Sequence, residues 1–143
     1  MPQPDLTSGR FSRWPWWRRW FGQRSERAAA SLLRKLGYRI LGRNLSDRRG
    51  EIDIIAIDGS TVVIVEVRST AGTDLQRIAA SVDAQKQRRL TQAALRFFHR
   101  RRLHNIPIRF DVLVVSWPPT QRRPTIQHFP NAFEAVGRFQ MHS

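Results

Sequence analysis

Residues 50–68 read GEIDIIAIDGSTVVIVEVR, and this stretch constrains the fold more than any other. Two runs rich in β-branched residues, 52–57 and 61–67, flank the pair Asp58-Gly59. An Asp-Gly step between such runs is a strong short-range signal for an antiparallel hairpin. Side chains alternate on a strand, so Glu51, Asp53, Ile55 and Ile57 share one side of the first strand. Val62, Ile64, Glu66 and Arg68 share one side of the second. A two-residue loop pairing Ile57 with Ser60 leaves Asp53 opposite Ile64 and diagonal to Glu66. A four-residue loop sets Asp53 directly opposite Glu66, and a three-residue loop separates the two acids.

Acids inside runs this apolar need an explanation, because a buried ionised carboxylate is costly unless paired or bound to a cation. Either Asp53 and Glu66 lie on a solvated face and pair with arginines, or they form a chemical site. Arginine is abundant: 25 Lys and Arg against 11 Asp and Glu give a formal charge of +14. Such a field attracts polyanions, which suits nucleic acid, a ribosome or an anionic membrane surface. The absence of cysteine removes disulfides, zinc–thiolate sites and cysteine catalysis. No apolar run approaches the length of a membrane span and no secretory h-region is visible, so the expected location is the cytoplasm.

At 143 residues the chain suits one domain. Residues 1–24 read as a basic, Trp-rich, flexible arm, residues 25–137 as the folded domain and 138–143 as a tail. In the arm Trp14, Trp16, Trp17 and Trp20 alternate with arginines, a composition that stacks on unpaired bases or rests weakly on a membrane surface. Ser25 is an expected N-cap for a helix ending at Gly37, which puts Glu26 in the first turn, where the helix dipole favours an acid. Residues 38–41 read as a short strand and 46–50 as a polar loop. Arg43, Arg48 and Arg49 either grip a phosphate backbone or are solvated loop charges.

Residues 69–80 read as a mobile loop and 82–103 as a helix, with Leu90, Ala93, Ala94 and Phe97 on one stripe. Lys86 lies on that stripe, where a lysine ordinarily snorkels outward. Arg100, Arg101 and Arg102 at the helix end are candidate backbone contacts. Residues 109–116 form a buried strand whose Asp111 is a partner for an arginine rather than a metal ligand. Residues 125–129 read as an edge strand, His128 as structural, and Asn131 as the cap of a closing helix. There is no Gly-rich phosphate loop and no Gly-x-Ser-x-Gly elbow.

Asp53 followed across a hairpin by Glu66-Val67-Arg68 resembles the carboxylate arrangement of PD-(D/E)xK nucleases. More widely, Ser25-Glu26, Gly37-Tyr38, Arg43-Asn44, Gly50 through Ala56, Val65-Glu66-Val67, Lys86, Arg109 through Val112 and Asn131-Ala132-Phe133 resemble the YraN family of bacterial restriction-endonuclease-like proteins, similar in fold to archaeal Holliday-junction resolvases. The resemblance implies an α/β restriction-endonuclease-like fold, a central mixed sheet flanked by helices. It implies a Mg²⁺- or Mn²⁺-dependent nuclease acting on nucleic acid, DNA in preference to RNA, with Asp53, Glu66 and Glu26 as metal ligands. Arg68 and Lys86 are the implied transition-state cations, and Glu51 is either a further ligand or a loop cap. One departure matters: Arg68 stands where the pattern has lysine, and an arginine cannot accept a proton at neutral pH. The alternative is therefore a binding protein that keeps the nuclease architecture without cutting.

Overall fold

The computed structural model describes residues 16–136, with side chains from residue 22 onward. Residues 1–15, the side chains of Trp16 to Phe21, and the tail at 138–143 lie outside the described residues, and with them most of the Trp-rich arm. The elements are α1 (Trp16–Lys35), β1 (Arg39–Asp47), β2 (Gly50–Asp58), β3 (Thr61–Thr70), α2 (Leu75–Ala80), α3 (Ala84–Arg100), β4 (Ile108–Ser116) and β5 (Thr125–Phe133).

The hairpin forms as its β-branched runs require. Asp58 pairs with Thr61 and Ile57 with Val62, so the turn is Gly59-Ser60, one residue later than Asp58-Gly59. Gly59 has φ +62°, the left-handed region that costs an L-residue about 1–2 kcal/mol. Gly59→Val is accordingly expected to lower the unfolding free energy by about 1–2 kcal/mol in urea titration, with the fold retained.

The sheet order is β1-β2-β3-β4-β5, antiparallel except for the parallel pair β3 and β4. A parallel pair needs a crossover, and α2 and α3 supply it. Both sheet faces are covered. Ala29, Ala30 and Leu33 of α1 pack on Ile54, Val63, Val65, Leu113 and Val115. On the other face Leu90, Ala94 and Phe97 of α3, with Leu75 of α2, pack on Ile55, Val62, Ile64 and Val112. This is the expected α/β restriction-endonuclease-like architecture.

Several local expectations are corrected. Helix α1 starts directly after Pro15 and runs through Ser25, so Ser25 is no cap: it is fully buried, and its Oγ meets Ser69 Oγ at 2.5 Å and accepts from Trp117 Nε1 at 2.9 Å. Glu26 thus sits in mid-helix, where the dipole gives it no support. Strand β1 continues past Leu41 to Asp47 because a register shift between Ile40 and Gly42 absorbs one residue. The expected loop at 46–50 is then a tight turn, in which Asp47 Oδ1 accepts from the backbone N–H of Arg49 (2.9 Å) and Gly50 (3.1 Å). The expected loop at 69–80 holds the end of β3 and helix α2, capped by Asp74. Asn131 caps no helix: it lies in β5 at φ 51°, and its N–H donates to Asp111 at 2.9 Å.

Candidate active site

Strand β2 changes phase where its acids lie. Ile55 and Ile57 face α3 and Ile54 faces α1, as alternation requires, yet Ile52 also packs on the α3 side. The alternation therefore slips between Ile52 and Ile54, at Asp53. Regular pairing with β3 runs from Asp58↔Thr61 to Ile54↔Val65. The same register carried one step further sets Asp53 opposite Glu66, the arrangement expected of the longer loop. There the Asp53 carboxylate inserts into the pairing, accepting from Val67 N–H at 2.9 Å.

Asp53 and Glu66 are each 5% exposed. Glu66 Oε2 lies 3.2 Å from Arg68 Nε and 3.6 Å from Lys86 Nζ. Lys86 reaches it from the first turn of α3, where Asp83 caps the helix by accepting from Lys86 N–H at 2.9 Å. Despite two cations, the Glu66 carboxyl is raised to about 8, by burial first and then by the negative charge of Asp53. From α1, Glu26 approaches Asp53 and Glu51. Burial, then Asp53 and Glu51, raise it to about 8 against the opposing effects of an Asn44 hydrogen bond and the Arg43 charge.

The hydrogen-bond balance is broken at this one place. Among the described residues, the buried side-chain polar atoms without a hydrogen-bond partner are Glu26 Oε2, Arg43 Nε and Arg68 Nε. Arg68 Nε is close to Glu66 but off the line of a hydrogen bond. Orphaned buried groups are rare in folded chains and mark sites where something else binds. The donor set suits a hard divalent cation, which favours carboxylate oxygens. Among the described residues no three carboxylate or histidine side chains already stand in ligating geometry. Glu26 and Glu66 both neighbour Asp53 without being gathered around it.

The structure thus places Glu26, Asp53, Glu66, Arg68 and Lys86 together, from α1, β2, β3 and α3. It also brings in Arg43 and Asn44 of β1, and Glu51, which is 9% exposed. Arg43 therefore belongs to this acidic site rather than to an outer arginine group with Arg48 and Arg49. The partnership of Asn44 with Glu26 and the Val67 N–H donor went unread in the sequence. The only hint of Asn44 was its place in the Arg43-Asn44 word. Arg100 lies 3.7 Å from Asp47, Arg101 stacks on Phe97 at 5.2 Å, and Arg102 adopts φ 53°, so the three consecutive arginines do different things.

Among the described residues no helix is long and apolar enough to cross a membrane. Residues 25–115 match the uncharacterised protein family UPF0102. The chain is 45% identical over 119 residues to a UPF0102 protein of Rhodopirellula baltica, covering 81% of this chain and 71% of that one. It is 43% identical over 115 residues to one from Geobacter sulfurreducens (79% and 88%) and 42% identical over 118 residues to one from Syntrophus aciditrophicus (82% and 91%). The chain therefore belongs to UPF0102, the YraN family of restriction-endonuclease-like proteins.

Proposed function

We propose that this protein is a divalent-cation-dependent phosphodiesterase acting on nucleic acid, DNA in preference to RNA. One observation carries the reading: Glu26 Oε2, Arg43 Nε and Arg68 Nε are buried without a hydrogen-bond partner at a site where the Glu26 and Glu66 carboxyls are held above their ordinary ionisation range. Asp53, Glu66 and Glu26 would hold Mg²⁺ or Mn²⁺. The bound ion supplies a water of lowered pKa and offsets charge on the phosphoryl oxygens. The Val67 N–H keeps the Asp53 carboxylate in one orientation. Arg68, Lys86 and Arg43 present positive charge to a phosphodiester, Arg68 with a fork that can bind two oxygens at once.

Incubation with branched and single-stranded DNA in Mg²⁺ or Mn²⁺ tests this. Cleavage that requires the ion and vanishes in Asp53→Ala supports the proposal. A second reading, binding without cutting, is favoured by Arg68, which already engages Glu66 at 3.2 Å and cannot take a proton from water. Tight, salt-sensitive binding with no product after hours supports that reading. Arg68→Lys separates the two further. If a lysine amine activates water in this fold, the variant is expected to cut about 10²-fold faster than the natural chain, the lower end of what a positioned acid–base group contributes. An unchanged cleavage rate in Arg68→Lys would show that the position serves charge alone.

A further inference from the structure

Resting on the reading that this chain engages nucleic acid, we propose that α3 and the β1–β2 turn form one phosphate-binding track leading away from the Asp53–Glu66 site. Helix α3 starts at the site, with Lys86 Nζ 3.6 Å from Glu66, and ends at the turn, with Arg100 Nη1 3.7 Å from Asp47. The helix rise between Lys86 and Arg100 is about 21 Å. Lys86, Arg89, Arg96 and Arg100 fall along one edge of the helix.

Asp47 joins helix to turn. Its carboxylate accepts from Arg96 Nε at 2.6 Å and Arg96 Nη2 at 3.1 Å, while also holding the backbone N–H of Arg49 and Gly50. That joint sets Arg48 and Arg49 beside the far end of α3. Arg48, Arg49, Arg88 and Arg89 are exposed and make no salt bridge among the described residues.

No acidic residue occurs between Asp83 and Asp111. A merely solvated helix gains from interleaved acid–base pairs and loses from like charges at i, i+4. This helix accumulates one sign along its whole length, and a polyanion offsets that repulsion. Two features choose the sugar–phosphate backbone over a lipid surface. The cations of the track are all arginine save Lys86, suited to paired phosphate contacts. The apolar stripe of α3 (Leu90, Ala94, Phe97) is already buried in the core, so the helix has no second apolar face to insert into a bilayer. The track length matches about six base pairs of duplex at 3.4 Å each.

The test measures duplex binding in EDTA, so that cleavage plays no part. Arg48→Gln/Arg49→Gln is expected to reduce the slope of log K against log salt by roughly 1.8 and affinity at 0.1 M salt by roughly 50-fold, and Arg89→Gln to reduce the slope by roughly 0.9 and affinity by roughly 8-fold, for a duplex of about 20 base pairs. Arg34→Gln/Lys35→Gln, with the same charge loss at the end of α1, is expected to bind like the natural chain. Weakening by the α1 pair equal to that of Arg48→Gln/Arg49→Gln, or natural-like binding by both track variants, overturns the track. So does loss of binding to anionic vesicles with DNA binding unchanged. The proposal of cleavage fails separately: track variants that weaken binding while the natural chain never cuts leave the track standing.

Discussion

Asp111→Ala is expected to lower the unfolding free energy by about 3–5 kcal/mol, read from the urea midpoint, the range for removing one member of a buried charge network. The Asp111 carboxylate has no solvent exposure. It accepts from Arg109 Nε (2.9 Å) and Nη2 (3.0 Å) and from Asn131 N–H (2.9 Å), and it meets His128 Nε2 at 2.7 Å. Arg109 in turn bonds Asp58 at 3.0 Å and the Tyr38 hydroxyl at 2.5 Å. One carboxylate therefore ties β2, β4, β5 and the connection from α1 to β1 together, with Asp111 paired to Val65, the neighbour of Glu66. Its loss leaves a guanidinium and a backbone N–H without their partner. Burial by itself resists ionisation of Asp111, but the hydrogen bonds from His128, Arg109 and Asn131 outweigh it and hold the group below its ordinary 3.8. For a lowered pKa the stabilisation is complete above the unfolded value and disappears as pH falls through the folded one. The natural chain should thus lose stability as pH drops below about 4, and Asp111→Asn should lack that part of the profile. A urea midpoint unchanged in Asp111→Ala would show that the network contributes nothing.

Manganese or magnesium at 100 times its dissociation constant is expected to stabilise the chain at pH 8 by about 2.7 kcal/mol, roughly 10 °C in Tm for a domain of this size. At pH 5 the shift should be close to zero. The sign follows from the two raised carboxyls. Glu26 and Glu66 sit near 8 against an ordinary 4.5, so their stabilising contribution is complete below 4.5 and is lost as pH rises toward 8. Without a divalent ion, stability should decline across that window, because these carboxyls ionise freely in the unfolded chain while burial and the charge of Asp53 keep them protonated in the folded one. A divalent ion removes the penalty and must compete with protons to do so. Asp53→Asn should abolish the response, and calorimetry at the two pH values reads the same difference directly. Equal shifts at pH 5 and pH 8, or a full response in Asp53→Asn, would show that the ion binds elsewhere.

The acid pair of the hairpin was legible because period-two alternation and turn chemistry act over a few residues. Even so, a turn at Gly59-Ser60 rather than at Asp58-Gly59 decided that Asp53 meets Glu66 directly, where the residues alone left loops of two, three and four residues open. Lys86 was ambiguous for a related reason. Its place on an apolar stripe describes a snorkelling lysine as well as one aimed at Glu66, and only the path of α3 over β3 separates them. Ser25 misled because the same hydroxyl that caps helices also satisfies buried partners, and Ser69 and Trp117 are distant in sequence. His128 was read as structural, and the structure gives that reading its partner in Asp111. Asn131 looked like a cap because asparagine tolerates left-handed backbone, which it here uses inside β5.

By itself, the sequence determined the hairpin and the core stripe of α3, since these follow from periodicity and turn residues. The tertiary structure alone decided which groups share a site. Glu26, Arg43, Asp53, Glu66 and Lys86 come from five elements, and their meeting depends on how α1 and α3 bury opposite faces of one sheet. It also decided that Asp47 links α3 to the β1–β2 turn. Packing free energy fixes those long-range choices, because the local pattern of each segment is compatible with more than one neighbour.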